Sequence, residues 1–217
     1  AYAELTGSYQ SISLLLGGLL PRPERITSPP YSLLLEKAWE YPDILGGKAS
    51  ALAHIQRKTE IPVQTGFVIT THAFHRFLEE NNLQRVIAAE LRRVNLQDPK
   101  RLLKIADRLQ QSIMDGTVPQ DVRQSVLDSM DHIVGTDSFT PWAVRSSAIA
   151  EDGESSFAGQ YETVLGVKQE DIFTAYKKVL ASKYTPTALT YRLHCGLADS
   201  EVPMAVLVLP MVDSRTS

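Results

Sequence analysis

Hydrophobic positions recur along this chain with two periods, one near four and one of two. The first marks helices with a buried stripe and the second marks strands with one buried face. Residues 1–20 carry Leu5, Ile12, Leu15, Leu16 and Leu19 on one approximate face, which predicts a helix. Residues 21–30 follow with four prolines in ten and predict an extended linker. Residues 31–41 predict a short helix. The run LGGKASAL at 45–52 leads through two glycines into an amphipathic helix carrying Leu52 and Ile55. Residues 63–70 predict a strand, with Gly66 marking a bend or a close backbone approach. A helix to about residue 81 follows, with Thr71 as its N-cap and Phe74, Phe77 and Leu78 on its buried face.

Residues 84–135 are helical in pattern. Leu102, Ile105, Ala106, Leu109 and Ile113 form one stripe; Val122, Val126, Met130 and Ile133 form another. Asp115, Gly116 and Pro119 mark the turn between two antiparallel helices. Alternation then predicts strands at 142–145 and 161–167, joined by a loop rich in serine and glycine. An amphipathic helix spans 169–182, with Ile172, Phe173, Tyr176, Val179 and Leu180 inward. The run PMAVLVLPMV at 203–212 is apolar throughout, the pattern of a strand buried on both faces.

Composition narrows the function classes. At 217 residues the chain is long enough to bury a sizeable core. Its net charge of −3 gives no electrostatic case for nucleic acid or an anionic membrane. Its single cysteine, Cys195, excludes an intrachain disulfide framework and a cysteine zinc site, and its apolar context reads as packed rather than reactive. No apolar run reaches the length of a membrane span. The apolar stretch at 14–20 lacks a preceding basic residue and a following cleavage site, so it does not read as a signal peptide. The chain begins at Ala1 rather than Met and is read as a piece of something longer.

Three places carry candidate chemistry. The loop between the 142–145 and 161–167 strands exposes many backbone N–H groups, and Arg145 stands at its root. Amides beside a guanidinium suit a phosphate-rich ligand, though such loops are commonly plain connections. Gly46–Gly47–Lys48 opens a helix, where backbone and lysine suit an anion. It is not a Walker A loop, because Pro42 stands where that motif needs glycine and Ala49 where it needs Ser or Thr. His72 and His75 lack an acidic or cysteine partner nearby and read as partly exposed helix residues rather than metal ligands.

The pattern VRSSA-x-x-ED-x-x-x-x-SFAG-x-x-x-T resembles the signature of the nucleotide-binding domain of the phosphoenolpyruvate synthase and pyruvate phosphate dikinase family. It falls on Val144–Ala148, Glu151, Asp152, Ser156–Gly159 and Thr163. GGK-x-x-x-L followed by PV-x-x-GFVIT, at Gly46–Lys48, Leu52, Pro62, Val63 and Gly66–Thr70, resembles the opening of the same domain. Gln64 stands where the family often has proline. The resemblance implies an α/β (α+β) fold: the first lobe of an ATP-grasp-like domain over 42–217, with an inserted helical subdomain at about 84–135. Residues 1–41 fall outside the core pattern.

The resemblance also implies a reaction. Phosphate passes from ATP to an enzyme histidine and then to an acceptor such as pyruvate; relatives with antibiotic or glucan acceptors, or a module that only binds nucleotide, are the alternatives. Lys48 and Arg145 are the implied catalytic residues, meeting the ATP phosphates. Ser156, Gly159, Gln160 and Thr163 complete the implied nucleotide-binding set. Glu151 and Asp152 either hold a metal or pair with basic neighbours, and the second is favoured because bare carboxylates repel phosphates. Arg192 either reaches a phosphate or braces the fold, and a structural ion pair is favoured. The magnesium ligands, the phosphohistidine domain and the pyruvate site are expected beyond residue 217. None of His54, His72, His75, His132 or His194 sits in a sequence resembling the phosphohistidine motif. This piece alone is expected to be inactive and its parent to be cytoplasmic, with a homodimer as one assembly open to it.

Overall fold

The computed structural model describes residues 26–59, 63–135, 140–148 and 160–211. The helix expected at 1–20, most of the proline-rich stretch, and the loop residues Glu151, Asp152, Ser156 and Gly159 lie outside them.

The frame is one five-stranded sheet between two layers of helices. In chain order the elements begin with β1 (Ser32–Leu34), α1 (Leu35–Ala38), α2 (Gly47–Lys58) and β2 (Phe67–Ile69). Four helices follow: α3 (Thr71–Glu80), α4 (Leu83–Leu91), α5 (Pro99–Asp115) and α6 (Gln120–Val134). The chain then forms β3 (Trp142–Ala148), β4 (Thr163–Val167), α7 (Ile172–Ser182), α8 (Pro186–His194) and β5 (Met204–Pro210). The sheet order is β1-β2-β5-β3-β4, and every neighbouring pair is antiparallel.

β5 is the middle strand, and its residues are buried on both faces until Pro210. That is why its sequence is apolar without alternation. Val206 and Val208 face the larger core with Phe67, Ile69, Trp142 and Val144. Ala205, Leu207 and Leu209 face a smaller core with Leu35, Ala38, Leu45, Ala49 and Ala53. Helices α3 to α8 cover the larger side, and α1 and α2 the smaller. Phe67 and Trp142 meet edge to face at 6.0 Å and 72°, a geometry worth about 0.5–1.5 kcal/mol beyond burial. A Cβ on Gly66 would lie 2.4 Å from Leu209 Cδ2, so the close approach read there is real.

Several expectations are corrected. Residues 31–41 are not one helix: Ser32–Leu34 pairs with Phe67–Ile69 as an edge strand, and only Leu35–Ala38 is helical. The cap of α3 is Thr70, whose Oγ1 accepts from Ala73 N–H at 3.4 Å, not Thr71. The region 84–135, inserted between β2 and β3, holds three helices where two were expected, α4 being the addition. Leu102, Ile105, Leu109, Val122, Val126 and Met130 share one core with sheet residues Phe67, Ile69 and Val144. His72 and His75 are buried rather than partly exposed, because α3 is packed on most sides; the His72 ring Nδ1 lies 2.9 Å from Ser28 O.

Tyr176 on α7 gives a test of this core. Its ring meets Phe77 edge to face at 6.3 Å, but its hydroxyl is buried with no hydrogen-bond partner. Burial pushes the phenol well above its ordinary pKa. Replacement by phenylalanine keeps the packing and removes the orphan hydroxyl, so Tyr176→Phe is expected to stabilise the chain by about 1 kcal/mol. Urea denaturation measures this; a clear loss of stability would mean that the hydroxyl has an acceptor.

Candidate functional site

The two glycines before Lys48 bring a helix end onto a strand. Gly46 has φ +70°, and a Cβ there would sit 1.8 Å from the carbonyl oxygen of Ser147. Ser147 Oγ donates to Leu45 O at 2.8 Å and accepts from Ala49 N–H at 3.1 Å. The amino terminus of α2 is thereby seated on the far end of β3. Gly47 and Lys48 are its first two residues, where backbone N–H groups have no acceptor within the helix. Lys48 is half-buried.

Arg145 is the one exposed residue of β3. It pairs across with Leu207 of β5 and Thr163 of β4. Partners directly opposite in an antiparallel pair share a face. Leu207 belongs to the smaller core beneath α2, so Arg145, Ser147 and Thr163 all point to the side on which α2 lies. Thr163 is exposed, and so is Leu165 (62 %), which follows on the same face. β4 is an edge strand beyond the cover of α2. The result is an open side of the sheet on which Arg145 and Thr163 are cross-strand neighbours and on which Ser147 seats the amino terminus of α2, the segment that carries Lys48. A guanidinium, an ammonium and helix N–H groups are the kinds of group that a site for several phosphates uses.

The sequence model of the family described as "Pyruvate phosphate dikinase, AMP/ATP-binding domain" matches residues 42–217. The chain belongs to this family. The probable phosphoenolpyruvate synthase of Staphylothermus marinus is 36% identical over 180 residues, 80% of this chain and 22% of the relative. The phosphoenolpyruvate synthase of Aeropyrum pernix is 35% identical over 180 residues, again 80% of this chain and 22% of the relative. The rifampicin phosphotransferase of Bacillus subtilis is 32% identical over 176 residues, 80% of this chain and 20% of the relative. The chain spans roughly a fifth of the length of these relatives.

Within this AMP/ATP-binding domain the residues singled out from sequence separate into groups. Arg145 and Thr163 stand opposite each other on one face of the sheet, and Lys48 lies in the first turn of the helix packed on that side. Gln160 lies at the end of the central loop, half-buried, with its Oε1 buried and lacking a hydrogen-bond partner. Arg192 is placed elsewhere. It is buried on α8, with Nη1 2.5 Å from Asp199 Oδ1 and Nη2 donating to Lys183 O at 3.0 Å. It braces the fold, as the sequence reading favoured. Cys195 caps the end of α8, half-buried. Among the described residues no group of His, Cys, Asp and Glu is arranged to hold a metal ion.

Sequence reasoning missed Ser147 as a contact. Its only signal was its place two residues after Arg145 in a strand pattern, which puts both side chains on one face. That it meets Leu45 and Ala49, about a hundred residues away, depends on the sheet order.

Proposed function

We propose that this chain supplies the first lobe of the ATP site of a dikinase-like phosphotransferase, which passes phosphate to an enzyme histidine and then to an acceptor. The observation that carries this reading is that Arg145 and Thr163 lie on the side of the sheet where Ser147 seats the amino terminus of α2, the segment carrying Lys48. Phosphoryl transfer asks a protein chiefly to position the nucleotide and offset its charge. Lys48 is a compact point charge for the phosphates, and Arg145 a fork able to hold two phosphate oxygens. The family signature supports Ser156, Gly159 and Gln160 as further phosphate-binding residues, and Thr163 adds a hydroxyl.

The names of the relatives support pyruvate as the acceptor, with the antibiotic-modifying relative marking the other route that the same lobe serves. Magnesium accompanies ATP, with ligands from outside the described residues. The working place is the cytoplasm, where ATP is supplied; no helix among the described residues is long and apolar enough to cross a membrane.

The test is ATP-dependent phosphorylation by the full-length protein. Lys48→Ala and Arg145→Ala are each expected to lower kcat/KM for ATP about 30-fold, close to 2 kcal/mol of lost transition-state stabilisation. Unchanged kinetics in both variants reject the assignment.

A further inference from the structure

The stretches carrying Lys48 and Arg145 lie almost a hundred residues apart, and one fully buried side chain joins them. Ser147 is 0 % exposed. A serine hydroxyl has one proton to give and lone pairs to receive. Here the proton goes to Leu45 O and a lone pair takes Ala49 N–H. The backbone on both sides of Gly46–Lys48 is therefore held by a single oxygen. The Ser147 carbonyl lies against Gly46 from the same side.

The strand itself does not require this hydroxyl. Ser147 faces Ala205 across the ladder and is followed by Ala148, both buried, so a small apolar residue fits the position. A buried hydroxyl is costly unless bonded, and both of its bonds go to the segment that carries Lys48. Arg145 is two residues back along β3, about 6.6 Å at the usual strand rise. Lys48 directly precedes Ala49.

We propose that Ser147 is a positioning residue that couples Lys48 and Arg145 into one phosphate-facing unit. It fixes the height of the α2 amino terminus over β3 and so the separation of the two cations. The functional consequence rests on the phosphate-binding reading above; the clip does not. Small misplacements of positioning groups are expensive for phosphoryl transfer.

The experiment uses the full-length protein with Ser147→Ala and Ser147→Cys, each alone and with Lys48→Ala. Hydrogen exchange of residues 46–50 reads the clip, and steady-state kinetics with ATP read its consequence. In Ser147→Ala, exchange over 46–50 is expected to quicken about tenfold while β5 stays protected, and kcat/KM to fall about tenfold. Cysteine, similar in size but a weaker hydrogen-bonding group, should lie between serine and alanine in both readouts. If the alanine variant does not fold, the cysteine variant carries the test. In the Lys48→Ala background the same change should cost less than about threefold, because the residue being positioned is gone.

Activity of folded Ser147→Ala within twofold of the parent overturns the proposal. So does an undiminished loss in the Lys48→Ala background, which would mark Ser147 as purely structural. Full activity in Lys48→Ala, with Ser147 intact, instead sinks the phosphate role of Lys48 and with it the coupling proposed here.

Discussion

Gly46→Ala is expected to lift the α2 amino terminus off β3 and to cost about 3 kcal/mol or more, the sum of backbone strain and a clash that cannot relax. Two independent effects add here. The first is conformational: Gly46 sits at φ +70° and ψ 170°, a region open essentially to glycine alone. The second is steric. The new Cβ would lie 1.8 Å from Ser147 O and 2.4 Å from Ser147 C, both backbone atoms of a strand paired on both sides. The third atom met, Ser147 Oγ at 2.8 Å, belongs to a side chain, but moving it leaves both backbone clashes in place. The two effects can be separated by a control. Gly135, after α6, has φ +58° but nothing within 4 Å of a built Cβ. Gly135→Ala therefore shows the cost of a positive φ without a clash, about 1–3 kcal/mol. Urea denaturation of both variants gives the difference, and exchange at 46–50 locates it. Equal costs at the two sites would remove the clash from the account. In the full-length protein Gly46→Ala is also expected to lose at least as much ATP-dependent activity as Lys48→Ala, because it displaces the segment carrying that lysine.

How far such contacts can be read from the chain depends on how local they are. The continuous apolar run of β5 and the periodic stripes of α5 and α6 each extend over seven or more residues, and the structure places them as the pattern does. β1 was not legible. Ser-Leu-Leu is too short to display alternation, and its strand character comes from Phe67–Ile69 beside it. Thr70 and Thr71 are equally good caps by type, and only the backbone path selects the first. The burial of His72 and His75 was hidden because α3 is enclosed on more than one stripe, so its polar positions are covered by neighbours that no local period announces. The site divides in the same way. Lys48 and Arg145 each sit in a recognisable local pattern. Their common face follows from β3 lying between β5 and β4, and from the seat that Ser147 gives α2. Those are non-local facts.

Asp199→Ala is expected to be the most destabilising change on the other side of the sheet. Its carboxylate lies between two buried cations, 2.7 Å from Lys183 Nζ and 2.5 Å from Arg192 Nη1. Lys183 Nζ also donates to the Asp199 carbonyl at 3.0 Å, and Tyr184 OH to Oδ2 at 3.4 Å. These bonds tie the end of α7 and the last turn of α8 to the turn before β5. Removing the carboxylate leaves two cations buried without it, and breaking a buried pair from one side costs about 3–5 kcal/mol. For a chain of this size that lowers Tm by roughly 6–20 °C. The pH dependence has a definite sign. Burial alone would raise the carboxyl, but the charges of Lys183 and Arg192 outweigh it and hold Asp199 well below the usual carboxylate range. A carboxyl whose folded pKa is depressed contributes stability fully above its unfolded value, near pH 4, and loses it as pH falls toward the folded value. The parent chain should therefore weaken steadily below about pH 4, and Asp199→Ala should lose much of that acid sensitivity while being less stable at neutral pH. Asp199→Asn separates charge from shape: it keeps an oxygen for Arg192 but not the charge, and should retain only a minor part of the stability. Denaturation curves at pH 7 and pH 3 decide the matter. Parallel pH profiles for parent and variant would show that acid sensitivity originates elsewhere, and the pair between α7, α8 and the β5 turn would then be packing rather than electrostatics.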